Sequence, residues 1–450
     1  MLIRLALVLA PAVLAVATAV DPALGDDQGG GIYRAHPDAI QWHSVLLHWA
    51  WVLFVPAFLG LLRPIRRRGA VLARVAWCAA VFGLVTFSAL MAYDLALLAM
   101  EQTLPDADVR RVDAAFQSMD WAVWGWQIPG LAGWAVALLL TPVAAAYAKV
   151  ISWWTASAAL LGSLLYLQFA ISPLPLNLAG PVVMLVAYGF ACRELARFRA
   201  AAGAPGAAVD RENAATGGAA PGRAADEPDT FGVFKDRVGR FGLVAAPVVF
   251  GAGLLTVPGL SPDIAEAVRQ PGLAQASALL LHLSWLLFVP GMLLMMRRGR
   301  RFTTVAAAVT AFALMHFSGL MVGDYSDLAV RLTVPAELAE KVSDAFGGYA
   351  LFAFGWAVPA MLVSLLGLIA VPIGAAADGL VRWWVPVLTG LGVVAFLAVG
   401  VGPLSVLSPL LLLAGYGLLA RALPSRPLRA WAGTPAQEPE PREPQPQPAP

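Results

Sequence analysis

Apolar runs with the length of a membrane-crossing helix, about 20 residues, follow one another along this chain, parted by short polar or basic stretches. After an opening run that ends near Asp21, the pattern predicts helices over about 43–62, 75–97, 121–146, 152–171 and 181–197. The second of these six ends at Arg63, Arg66, Arg67 and Arg68, and the sixth at Arg193, Arg197 and Arg199. Basic clusters beside short loops mark the cytoplasmic side, so the chain alternates sides with both clusters facing in. The polar segment after Pro105, with Asp106, Asp108, Arg110 and Asp113, predicts a short helix lying along the surface.

The pattern then starts again. Leu46–Pro56 is LLHWAWVLFVP and Leu280–Pro290 is LLHLSWLLFVP, which puts His48 and His282 at a separation of 234 residues. From the third helix onward the separation is 230: Phe87-Ser88, Met91, Asp94, Thr103, Pro105, Gly125-Trp126, Pro129 and Pro142 recur as Phe317-Ser318, Met321, Asp324, Thr333, Pro335, Gly355-Trp356, Pro359 and Pro372. Ordered matches over such a length indicate a duplicated membrane unit. The arginines at 297, 298, 300 and 301 stand where the first cluster stands, so both copies enter the membrane in the same sense, as parallel repeats do. The predicted fold class is all-α: a polytopic integral membrane protein of about 12 transmembrane helices as two parallel six-helix repeats. Residues 1–199 form the first, 200–234 a flexible cytoplasmic linker, 235–429 the second, and 430–450 a disordered tail rich in Pro, Glu and Gln.

Composition supports this placement. Hydrophobic residues make up 59% of the 450 and charged residues 13%, about half the charge of a soluble domain. A net charge of +2, with the basic residues gathered beside apolar runs, gives no reason to expect a nucleic-acid partner. The two cysteines, Cys78 and Cys192, lie in apolar segments and offer neither a disulfide framework nor a zinc site. The first 20 residues have the look of a signal peptide, with Arg4 ahead of the apolar stretch and Ala17-Thr18-Ala19 near its end. However, Leu9–Val13 resembles Ala245–Val249 at the head of the second copy, which favours retention as a first helix. The N-terminus, linker and tail are then cytoplasmic, in a multi-pass protein of the cell membrane.

An ionisable side chain at mid-membrane costs about 2.5–3.5 kcal/mol on insertion scales, so each requires a partner or a wet cavity. His48, His282, His316, Asp94 and Asp324 are the ones inside apolar runs; His43 and His36 are expected in solvent. Ser88, Met91 and Asp94 are spaced to share neighbouring parts of one helix face, and Ser318, Met321 and Asp324 repeat the set. Two site chemistries fit: imidazoles of His48 and His282, with His316, holding a haem b, or imidazoles with the thioethers of Met91 and Met321 holding copper. A purely structural reading stands beside them, in which the histidines bond neighbouring helices, the methionines pack, and Asp94 and Asp324 sit at the water interface. Trp51 and Trp285, one turn from the histidines, suit packing or stacking on a cofactor. Trp153-Trp154 and Trp383-Trp384 suit the aromatic belt.

The run Leu281-His282-Leu283-Ser284-Trp285 to Gly291, with Arg300-Arg301-Phe302-Thr303 and Gly319, resembles one helix pair of CopD-type copper-resistance membrane proteins. The resemblance covers about 40 residues, and the glycine pair of that pattern is replaced by Val289-Pro290-Gly291 and Val55-Pro56-Ala57. It implies copper handling, with a ligand role for His282 and, through the repeat, His48. The functional expectation is a transporter or permease for a small solute or metal ion, with Asp94, Asp324, Ser88 and Ser318 on the path and no catalytic residue. A haem b redox protein and a non-catalytic scaffold or assembly factor are the alternatives; the lipid bilayer is the partner common to all three.

Overall fold

The computed structural model of the chain describes residues 2–22, 31–203 and 229–423, and every regular element among them is a helix. The tail and most of the linker expected from sequence lie outside the described residues. Fourteen helices carry the architecture and fall into two sets of seven. The first set is α1 (Leu2–Ala19), α2 (Pro37–Leu62), α3 (Ala70–Thr103), α4 (Asp106–Gln117), α5 (Asp120–Tyr147), α6 (Trp153–Phe169) and α7 (Ala179–Gly203). The second is α8 (Thr230–Leu255), α9 (Pro271–Arg298), α10 (Arg301–Thr333), α11 (Ala336–Gly347), α12 (Ala350–Ala377), α13 (Trp384–Val399) and α14 (Leu407–Ala422). Helices are what apolar runs form where no water can satisfy the backbone.

Eight helices among the described residues are long and apolar enough to cross a membrane: α2, α3, α5, the Leu176–Phe198 stretch leading through α7, α8, α9, α10 and α12. The helices at the other four expected positions, α1, α6, α13 and α14, are shorter, of 16 to 18 residues each, or about 24–27 Å of helix. The surface helix expected after Pro105 is α4, and α11 after Pro335 is its counterpart. Both follow a threonine, Thr103 or Thr333, whose hydroxyl bonds the carbonyl four residues back at 2.7 Å, and an extended residue before the proline.

The two sets pack alike. In the first, α1 lies on α2 and α7, α3 on α5, α5 on α6, and α6 on α7; in the second, α8 lies on α9 and α14, α10 on α12, α12 on α13, and α13 on α14. Close approach is set by small residues: a methyl on Gly83 of α3 would overlap the Gly133 backbone of α5. The halves interlock through the surface helices, which are exchanged. The first half's α4 packs on Val322–Thr333 of α10, and the second half's α11 packs on Met91–Thr103 of α3. Tyr349, just ahead of α12, donates its hydroxyl to Gln102 Oε1 of α3 at 2.8 Å.

Four helices are interrupted where they line the boundary between halves. The third is broken by a π-turn at Ala79–Gly83 and again at Leu90, and the tenth by a 3₁₀ turn at Gly319–Met321. In α5 and α12, π-turns at Val123–Gln127 and Ala353–Ala357 occupy matching positions, each followed by a proline, Pro129 or Pro359. Proline withholds an N–H from the carbonyl four residues before it, which is one cause of such bulges.

At the ends carrying the arginines, Asp236 of α8 is 2% exposed and lies 2.9 Å from Arg297 and 2.6 Å from Arg298 of α9. Asp229 caps α8, accepting from Gly232 N at 2.8 Å, and pairs with Arg66 of the first half at 2.9 Å. His43 is not in solvent. Because Pro37 starts α2 six residues before the predicted boundary, His43 lies on the helix, and its Nδ1 donates to the Ala17 carbonyl of α1 at 2.8 Å. His36, Trp153, Trp154 and Trp383 are exposed.

Candidate functional site

His48 is the twelfth residue of α2 and His282 the twelfth of α9. Both are fully buried, and His316 is 4% exposed. The Nδ1 of His48 lies 3.0 Å from the Ser88 carbonyl, and the Nδ1 of His282 lies 3.0 Å from that of Ser318. Each of these carbonyls stands at a helix interruption, just before Leu90 in α3 and before Gly319–Met321 in α10. A carbonyl can only accept, so each Nδ1 bears a proton, and in the neutral ring each Nε2 presents a lone pair.

Those lone pairs face the opposite half. His48 Nε2 is 2.7 Å from His316 Nδ1 on α10, and His282 Nε2 is 3.0 Å from Thr86 Oγ1 on α3. Thr86 and His316 are equivalent positions of the repeat, so the contact is reciprocal with one change of residue type. The tryptophans within the π-turns complete the exchange. Trp356 of α12 stacks on His48, with centroids 3.4 Å apart and planes at 13°, while Trp126 of α5 stacks on His282 at 4.0 Å and 29°. Trp356 Nε1 donates to the His316 carbonyl and Trp126 Nε1 to the Thr86 carbonyl, both at 2.9 Å. Each histidine thus lies between a carbonyl of its own half and two groups of the other.

Two departures from symmetry concentrate in one of the two arrangements. Trp49 has no counterpart, since Leu283 stands at its equivalent position. Its Nε1 donates at 3.0 Å to the Gly355 carbonyl, the one that Pro359 cannot serve, and its ring lies 4.4 Å from that of His316. The second is His316 itself. His48 Nε2 accepts in the neutral pair, so His316 Nδ1 donates and His316 Nε2 is left with a lone pair. That buried atom has no hydrogen-bond partner among the described residues. Leaving such a group unpaired costs about 1–3 kcal/mol, which is comparable to what one stacked aromatic pair returns.

The remaining residues singled out from sequence do not join this cluster. The Ser88 and Ser318 hydroxyls bond their own helices, to Val85 and Met315 carbonyls at 2.8 and 3.1 Å, and only their backbone carbonyls meet the histidines. Met91 and Met321 are partly buried against the apolar core. Trp51 and Trp285 are buried in separate aromatic clusters with Phe87 and Phe317. Asp94 accepts a long 3.4 Å contact from Ser44, and Asp324 is exposed; each lies in the first turn after its helix interruption. Asp94, burial and then the carboxylates of Asp21 and Glu101 hold the nearby Tyr33 phenol well above its ordinary range.

A haem held between His48 and His282 requires both Nε2 lone pairs, and both are already turned to His316 and Thr86 beneath stacked indoles. The pair does not fit that ligation. Nor do three or more His, Cys, Asp or Glu side chains among the described residues come together as a metal-holding group. Sequence reading found the histidines but missed Thr86, Trp126, Trp356 and Trp49 as their partners. The signal available was the recurrence of Gly-Trp three residues before a proline in both copies.

No known protein family, curated protein or solved structure matches this chain. What fold and site define is a class: an all-helical protein with eight helices fit to cross a membrane and a buried, reciprocal histidine contact between its two halves.

Proposed function

We propose that this protein is a transporter or permease of the cell membrane for a small solute, with twelve crossings in two parallel repeats and the solute path along the boundary between them. The observation that carries the reading is the buried reciprocal contact of His48, His316, Thr86 and His282. Ionisable groups kept inside a bilayer against their insertion cost mark solute or ion pathways by default, and binding at the interface of repeats is the rule in such carriers. The matched π-turns and prolines beside that contact supply places where α5 and α12 bend. Asp94 and Asp324, in the first turn after the interruptions of the lining helices α3 and α10, are the carboxylates assigned to solute entry.

The test is flux in proteoliposomes across a panel of small neutral solutes, organic ions and metal ions including copper. The reading predicts uptake above empty liposomes for one class, reduced at least tenfold in the Asp94→Asn, Asp324→Asn double variant, which stays folded and inserted. An unchanged rate in the double variant removes the carboxylates from the path, and no flux for any member of the panel contradicts the transporter reading.

A further inference from the structure

The buried His316 Nε2 and the unequal residues at its repeat position carry an inference that does not depend on transport. We infer that His48 and His316 together form a proton-binding site, taking up one proton at His316 Nε2 and sharing it across the boundary between the halves.

The geometry allows two protonation states around one hydrogen bond. In the neutral pair, His48 Nδ1–H donates to the Ser88 carbonyl, His48 Nε2 accepts from His316 Nδ1–H at 2.7 Å, and His316 Nε2 holds a bare lone pair. A proton arriving at His316 Nε2 makes that ring an imidazolium. Its Nδ1 proton then passes to His48 Nε2, leaving His316 neutral with its proton on Nε2 and placing the positive charge on His48. The bond between the rings survives with its direction reversed, and the pair has gained one proton and one positive charge. His48 is suited to hold that charge: Ser88 still accepts from Nδ1, and the Trp356 face lies parallel at 3.4 Å, where a ring quadrupole attracts a cation.

Four helices supply the groups in contact with the pair. From α2 come His48 and Trp49, from α3 the Ser88 carbonyl, from α12 Trp356, and from α10 itself Phe312, whose ring lies 4.7 Å from His316. Among these contacts the titratable groups are the two histidines alone, so no carboxylate or arginine among the described residues in contact with the pair fixes its charge. The twin arrangement supplies an internal control. There Thr86 faces His282, and a hydroxyl donates to Nε2 but cannot store a proton near neutral pH. The repeat therefore holds a two-imidazole version and a one-imidazole version of the same contact.

The full chain holds five histidines, so ¹⁵N-histidine labelling in lipid vesicles resolves the site. At neutral pH, His48, His282 and His316 are expected to carry their protons on Nδ1. On acidification, His48 and His316 should change in one joint step worth one proton, during which His316 Nε2 gains N–H character. His316→Thr installs the residue the other half uses and should abolish that step while His282 keeps its signals; Thr86→His should add a second joint step with His282. The inference is overturned if His316 carries its proton on Nε2 at neutral pH, if the two rings titrate independently or not at all, or if His316→Thr leaves the count of bound protons unchanged. Should His316→Thr fail to insert, the wild-type titration alone decides between these outcomes.

Discussion

At the scale of single residues, the boundary between the halves is held by groups whose individual contributions are small. Hydrogen bonds between membrane helices average about 0.6 kcal/mol in mutant cycles, and a stacked aromatic pair adds about 0.5–1.5 kcal/mol. Removing one partner matters more for the orphan it leaves than for the bond it breaks. Trp49 makes this testable, because its Nε1 serves a Gly355 carbonyl that Pro359 leaves without an N–H. Trp49→Phe is expected to cost about 1–2 kcal/mol in a reversible unfolding assay in detergent. In a Pro359→Ala background, where residue 359 regains its N–H, the same change should cost clearly less. Equal costs in the two backgrounds would show that the carbonyl does not depend on the indole. The histidines were legible in the sequence because they recur, and the insertion cost of an ionisable group makes them stand out. Their partners were not. A repeat states which positions are equivalent, Thr86 and His316 among them, not whether residues of the two copies meet inside one half or across two.

At the scale of elements, the long apolar helices followed from apolar length, whereas helix breaks did not. Nothing in the composition of Ala79–Gly83 announces a π-turn, and only Pro129 and Pro359 hint at those in α5 and α12. The start of α2 also moved, since Pro37 belongs to its first turn, and that shift put His43 against α1 instead of in water. Connections between elements rest on single side chains at the helix ends. Asp378, which follows α12, accepts from Arg300 N and Thr303 Oγ1 at the head of α10, both at 2.7 Å. These bonds, the Thr303 hydroxyl first, hold its carboxyl below the usual carboxylate range. A carboxyl depressed on folding stabilises the folded state fully above its unfolded value near ~3.9, and that stability is lost as pH falls through the lower folded value. Wild type should therefore lose thermal stability relative to Asp378→Asn as pH drops below about 4. The two melting curves should differ at neutral pH and converge in acid; a gap independent of pH would contradict this role for Asp378.

At the scale of the whole molecule, duplication explains both the fold and its chemistry. Each set of seven helices packs by the same scheme, and each sends a surface helix, a tryptophan and one member of a polar pair to the other. Such reciprocity is what a two-fold contact between identical subunits would show, kept here within one chain. Departures from it at Trp49 and His316 gather around His48, which is why that arrangement rather than its twin is the chemically active candidate. The sequence indicated two copies in one membrane but not that they interlock, because α4 and α11 have no feature saying which half they cover. The central claim is that His48 meets His316 across the boundary, and a ¹⁵N–¹⁵N contact spectrum of the histidine-labelled protein in lipid tests it most directly. The account predicts a strong cross-peak between His48 Nε2 and His316 Nδ1, with none joining His48 to His282. Absence of the first peak, or presence of the second in its place, would contradict it.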